Sequence, residues 1–479
     1  GPSNIVAGEA FSPVVKVEFL DAYNNRVLDV ASSKTIKPEL IETGLLPNVI
    51  DSSKTAVAPS NGLVTFSGLS FTKVGTHKIR FTAAGLSAIS SNDFVTTNAA
   101  PHHLAWVTEP TGAKNDVALS PAPVLEVQDE FDNPAVVGAA TSVSAAVQPA
   151  NNDVLQITGT SATSDSNARV TFSNLVLRAK VGSYGLRFTA ANSALAIDGF
   201  TKDTTNSVAI TYGDPTALAV TSPAAGSNAG AAFSAQPVIT IQDSAANTVA
   251  NSGLTVTASM TNRVLLGLTT KPATNGVANF DGNGLGIEGL AANGLTLKYA
   301  ITFAGNQIST TQPIDMNAGS AVAITVGQQP GTVKNRDAFA ADLTAVLRDA
   351  WGNHASADSS STVTAQLFDS TGSSVGAESA AVTAASGTVT FTGLSFNAAP
   401  ASGYQVKFKL VSNAALVMST PFTINPGDTT QLVIVRSPAS VEADSTTTKT
   451  GNVLPTQPKF DRAANSRWPT CHPSALVQA

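Results

Sequence analysis

The stretch FSPVVKVEFLDAYNN, residues 11–25, decides the fold, because versions of it return four more times. The returns are PAPVLEVQDEFDN ending at Asn133, AQPVITIQDSAAN ending at Asn247, AADLTAVLRDAWGN ending at Asn353 and PTQPKFDRAAN ending at Asn465. In each an Asp stands four residues before the Asn, giving Asp21, Asp129, Asp243, Asp349 and Asp461. Successive aspartates lie 108, 114, 106 and 112 residues apart, about the size of one small domain. Such a period marks an array of similar modules.

Within the opening stretch Val15, Val17 and Phe19 alternate with Lys16 and Glu18, the period-two pattern of a half-buried strand. Leu125 and Val127, Ile239 and Ile241, and Ala345 and Leu347 repeat it. The Asp-x-x-x-Asn that follows reads as a turn in which the carboxylate accepts backbone hydrogen bonds from residues just ahead of it. A second reading, a calcium ligand set, has its best case in Glu126, Asp129, Glu130 and Asp132, without the ligand ladder of an EF-hand.

Roughly forty residues after each of the first four aspartates comes a short strand carrying Phe66, Phe172, Phe280 or Phe391. Another alternating segment follows, with Ile79 and Phe81, Leu186 and Phe188, or Val406 and Phe408, and then a last strand such as DFVTT, VAITY or PFTIN. Many short alternating strands between turns, with no helical stripe, predict an all-β chain: a tandem array of immunoglobulin-like antiparallel β-sandwiches. The expected modules are residues 1–98, 99–213, 214–318 and 319–428, with 429–479 holding the opening strand of an incomplete fifth and a divergent tail. Linkers at 98–101, 213–215 and 426–428 are only a few residues long and contain Pro or Gly, which predicts a stiff array.

The order of a short strand, Pro, AG-x-x-F, a strand ending D-x-x-x-N, then G-x-V-T-F-x-x-L and G-x-Y-x-x-x-F resembles the tandem filamin/invasin-type immunoglobulin-like repeats of large cell-surface and extracellular proteins. The resemblance runs from Pro2 to about Asn465, with the third module departing most through its DGNGLG insertion. It implies stalks, fibres and adhesins rather than one activity.

Composition points the same way. Of the 479 residues only 13% are charged and the net charge is -6, so no basic surface is available for a nucleic-acid backbone. The single cysteine, Cys471, excludes an internal disulfide framework. No apolar run is long enough to span a bilayer, and the chain starts at Gly1 as a mature or trimmed sequence would. No Asn lies two residues before Ser or Thr, so N-linked glycans have no acceptor. An extracellular or cell-surface location is expected.

Catalytic patterns are poor. The string Gly372-Ser373-Ser374-Val375-Gly376 lacks the strand-to-helix setting of a nucleophile elbow. Gly282, Gly284 and Gly286 have no following helix to cradle a phosphate, and His102-His103 and Cys471-His472 have no second pair at metal spacing. No enzyme and no cofactor is expected. Tyr23, Phe131 and Trp351 share one turn position in three modules, where a ring can pack on a neighbouring module or touch a ligand such as a glycan; Trp106 and Trp468 are the other tryptophans.

The repeat phase is odd at both ends. Modules two to four open with a strand (LAWV, LAVT or VAITV) before the Pro, and the first module has no such strand ahead of Pro2. Conversely, Gln431, Leu432, Val433, Ile434, Val435 and Arg436 make a well-formed opening strand whose would-be partner carries Gln457 and Lys459 at apolar positions. One expectation uses both features: the strand 431–436 of one subunit completes the first module of the next, with Phe11, Val15, Val17 and Phe19 as acceptors, giving a head-to-tail filament by self-association. The alternative is an adhesin stalk, or an array binding a surface receptor or glycan, cut from a longer cell-surface protein.

Overall fold

The computed structural model describes residues 2–41, 56–136, 138, 140–192, 197–250 and 253–433. The chain falls into two compact units, Gly1–Asn425 and Pro426–Ala479. Regular structure among the described residues is entirely strand, and no helix is long and apolar enough to cross a membrane.

The second sandwich gives the pattern. Its organising strand Val124–Asp129 lies between Pro101–Thr108 and Arg169–Thr171, both antiparallel to it. The opposite sheet runs Ser161–Thr163, Ser142–Val147, Leu186–Asn192, Ile197–Asp203. A short strand, Gly112–Lys114, crosses over to pair in parallel with the last strand Val208–Thr211. The third sandwich repeats the three-stranded sheet as Ala217–Ser222, Val238–Gln242, Val277–Asn279, and the fourth as Ala323–Gln328, Leu343–Arg348, Thr388–Phe391.

Alternation places the core. Val124–Asp129 and Leu343–Arg348 each bury every second residue, so one face of each strand turns inward. Among the described residues four separate apolar clusters result, one per sandwich. The phenylalanines of the second sequence landmark sit at the centre: Phe66, Phe172, Phe280 and Phe391 are at most 3% exposed. Each meets an aromatic ring of the opposite sheet, Phe81 at 5.4 Å, Phe188 at 5.0 Å, Tyr299 at 6.2 Å and Phe408 at 5.3 Å. Fully burying one such ring contributes roughly 1.5–3 kcal/mol, so each pair adds a direct contact between the two sheets to the burial of the rest of its cluster. In the third sandwich the glycine-rich insertion folds back on its neighbour, with Asn283 donating to the carbonyls of Leu268 and Thr270.

The first sandwich differs. Its organising strand Val15–Glu18 pairs with Leu63–Phe66 in a sheet of two strands among the described residues. Its other strands follow the pattern, with Ile36–Leu40, Ile79–Ala83 and Ile89–Ser90 opposite, and Ile5–Val6 running parallel to Phe94–Thr97.

Candidate functional site

Among the described residues the repeated Asp builds the same turn four times; Asp461 and Asn465 lie outside them. In the first sandwich Asp21 Oδ1 accepts hydrogen bonds from the backbone N–H groups of Tyr23 and Asn25 at 2.9 and 2.8 Å. Asp129 accepts from Phe131 and Asn133, Asp243 from Ala245 and Asn247, and Asp349 from Trp351 and Asn353, all at 2.9 Å. A carboxylate fits because two short bonds to one oxygen leave the other oxygen free.

That second oxygen reaches across to the preceding sandwich. Oδ2 of Asp129, Asp243 and Asp349 accepts from the linker N–H of Ala99, Gly213 and Gly319 at 3.0, 2.8 and 2.8 Å. The partnering Asn amide then grips a corner of the same preceding sandwich at two points. Nδ2 of Asn133, Asn247 and Asn353 donates to the carbonyls of Thr72, Ala179 and Gly289 at 2.6, 2.9 and 3.0 Å. Oδ1 of the same residues accepts from the N–H of Val74, Val181 and Ala291 at 3.2, 2.9 and 2.9 Å. Lys73 and Lys180 add a third bond, donating to the carbonyls of Phe131 and Ala245. The recurring motif is therefore a joint between modules as well as a turn.

Burial agrees. Asp129, Asp243 and Asp349 are at most 3% exposed, whereas Asp21 and Asn25 are exposed. Burial pushes the three joint carboxyls up, and the hydrogen bonds from the Asn, the linker and the turn outweigh it, holding each below the ordinary aspartate range.

The turn residue two after the Asp is matched to what it faces. Phe131 lies over Gly8, and Trp351 over Gly230 in contact with the third sandwich's core; a Cβ at either glycine would overlap the ring. Both glycines have positive φ, at 82° and 73°. At the second joint the small Ala245 takes the aromatic's place, and Ser244 donates to Asp116 at the position equivalent to those glycines. The rings of Phe131 and Trp351 thus pack on neighbouring modules, while Tyr23 is 86% exposed.

Beside this free turn the first sandwich has an open groove, lined by Val17, Phe19, Ile36, Phe81, Leu86 and Ile89 among others. It lies where the other sandwiches hold their opening strand: Trp106 of Pro101–Thr108 packs edge-on against Phe188, the counterpart of Phe81, at 5.2 Å. Of the four expected acceptor residues, all are buried in the first core, but only Val17 and Phe19 line the groove. Phe11 packs instead against Phe71 and Phe94. Of the expected donor strand, Gln431, Leu432 and Val433 are exposed, Leu432 completely at 102%. Ile434, Val435 and Arg436 lie outside the described residues, as do Trp468, Cys471 and His472.

No family model matches the chain, and no curated protein matches it. Among solved structures it is similar to Protocadherin Gamma B2 extracellular cadherin domains 1–5, at 13% identity and TM-score 0.26 over 90% of this chain and 80% of that one. Sidekick-1 immunoglobulin domains 1–5 match at 13% and 0.26 over 88% and 79%. Domains 4–9 of the surface layer protein SbsC match at 12% and 0.22 over 85% and 60%. The chain's own strand pairing establishes the fold as a tandem array of immunoglobulin-like sandwiches.

The remaining sequence candidates are engaged elsewhere. Both oxygens of Asp129 are occupied by N–H donors, Glu126 faces Arg169 at 3.5 Å and Asp132 faces His103 at 3.2 Å. No group of three or more His, Cys, Asp or Glu side chains converges among the described residues. Ser373 closes a hairpin turn on Asp369, and Trp106 donates to the carbonyl of Asp203. The joint itself was missed in the sequence. Its one linear trace is a constant distance, since Ala99, Gly213 and Gly319 each stand 30 residues before their Asp.

Proposed function

We propose that the chain is a non-enzymatic structural subunit of an extracellular surface filament. Its sandwiches are held in series by the Asp–Asn joints, and its copies join head to tail when the strand Gln431–Arg436 of one enters the first sandwich of the next. The observation that carries this is the groove beside Val15–Glu18, where the sheet has two strands among the described residues against three in each of the other sandwiches. An open strand edge with apolar side chains beside it is a template for another strand, and a heterologous contact of this kind propagates. The fully exposed Leu432 supports the other half of the contact. The same reading places the modules in the filamin/invasin-type group, on the motif order in the sequence.

The adhesin or glycan-binding reading loses one residue on which it drew, because Trp351 is committed to a joint. Electron microscopy of the purified chain beside a version ending at Asp428 tests the proposal. Filaments from the full chain and single particles from the shortened one are expected. Single particles from both would overturn it.

A further inference from the structure

We infer that the exposed turn Asp21–Tyr23–Asn25 is the polar half of the contact between copies, and that it grips the far end of the fourth sandwich of a second copy as the three internal joints grip their neighbours. This rests on the proposed donation of the strand to the first sandwich, and it fixes the register and the partner atoms.

The internal joints supply a ruler. The residue five after the linker amide pairs with the residue two before the Asp: Leu104 with Val127, Leu218 with Ile241, Ile324 with Leu347. The residue seven after it pairs with the residue four before the Asp: Trp106 with Leu125, Val220 with Ile239, Val326 with Ala345. After the last strand of the fourth sandwich, Phe422–Asn425, the linker position is Gly427. Counted from Gly427 onto Asp21 of a second copy, Leu432 pairs with Phe19 and Ile434 with Val17, apolar with apolar as in all three internal cases. Counted onto Asp461 of its own chain, the partners become Lys459 and Gln457. The second copy is the better match, and it brings Leu432 and Ile434 to the two acceptor residues that line the groove.

The same count sets the polar contacts. Gly427 N–H donates to Asp21 Oδ2, the place taken by Ala99, Gly213 and Gly319 inside the chain. The carbonyl of Ala398 stands where those of Ala179 and Gly289 do, two residues after Phe396 as they are after Leu177 and Ile287; its N–H bonds Asn335 as that of Ala179 bonds Asn115. Asn25 Nδ2 donates to it. Tyr23 faces Arg336, which occupies the position of Gly8, Asp116 and Gly230, each donating its N–H to the equivalent carbonyl of Phe396, Phe71, Leu177 and Ile287. A guanidinium over a phenol ring is a favourable pair. One bond is missing: Pro400 stands where Val181 and Ala291 supply an N–H, so Asn25 Oδ1 has no donor there. The contact between copies is accordingly looser than the internal joints by one hydrogen bond.

That defect gives the test. Critical concentration for assembly of the full chain is measured by light scattering for wild type, Leu432→Asp, Pro400→Ala, Asn25→Ala and the Pro400→Ala/Asn25→Ala double variant, with circular dichroism to verify that each is folded. Leu432→Asp should block assembly by removing the buried strand residue. Pro400→Ala should lower the critical concentration about three- to tenfold, the worth of one hydrogen bond, and Asn25→Ala should raise it and cancel that gain. If Leu432→Asp blocks assembly but Pro400→Ala and Asn25→Ala leave the critical concentration unchanged, the joint is wrong and strand donation stands. If wild type does not assemble, both fall.

Discussion

Asn133 shows what one side chain does at a joint. It donates to Thr72 and Asp129, accepts from Val74, and is 3% exposed. Asn133→Ala leaves a carbonyl and an N–H of the first sandwich without their partner, at a cost of about 1–3 kcal/mol. The expected readout is faster protease cleavage at residues 98–101 with the sandwiches themselves still folded. Asn25→Ala is the internal control, since Asn25 is exposed and its amide makes one 3.2 Å bond to Asp21; it should change the stability of the isolated chain by well under about 1 kcal/mol. Equal effects from the two substitutions would mean that the reach across the joint contributes nothing.

At the scale of strands the core depends on the paired rings. Phe280 is fully buried against Tyr299, whose hydroxyl bonds Gln312 and is pushed well up by burial. Phe280→Ala should destabilise the third sandwich by about 3–5 kcal/mol, seen as an early transition in thermal or urea unfolding. An unchanged unfolding curve would contradict the core described above. This phenylalanine was legible in the sequence, as were the alternation of Val15, Val17 and Phe19 and the Asp turn, because strand and turn signals lie within a few residues of each other. The joint was not legible. Asn133 meets Thr72 and Val74, 61 and 59 residues away in another module, and their contribution is backbone N–H and C=O that any residue supplies. Side chains at the contact gave only indirect signs: Gly8 and Gly230 matter because of the rings of Phe131 and Trp351 above them, which a linear reading does not pair.

Across the whole molecule the three joints share one chemistry and so one acid limit. Burial raises the pKa of Asp129, Asp243 and Asp349, and the donated hydrogen bonds lower it further than burial raises it. A carboxyl whose folded-state pKa is depressed contributes stability that is present above the unfolded value, about 3.9, and is lost as pH falls through the lowered folded value. The joints should therefore hold at neutral pH and loosen below about pH 4. Amide hydrogen exchange at Ala99, Gly213 and Gly319, corrected for intrinsic rates, should accelerate there before the strand amides do. Equal protection of these three amides at neutral and strongly acid pH would contradict the role given to the carboxylates.

Each joint attaches its neighbour along two separate lines. One is the covalent linker, pinned by its own N–H to the Asp; the other is the Asn amide on a corner such as Thr72–Val74. A single tether would let one sandwich swivel freely about the other. With two, a twist applied to one body is delivered to the next as torque, and rotation at the joint proceeds only by breaking bonds.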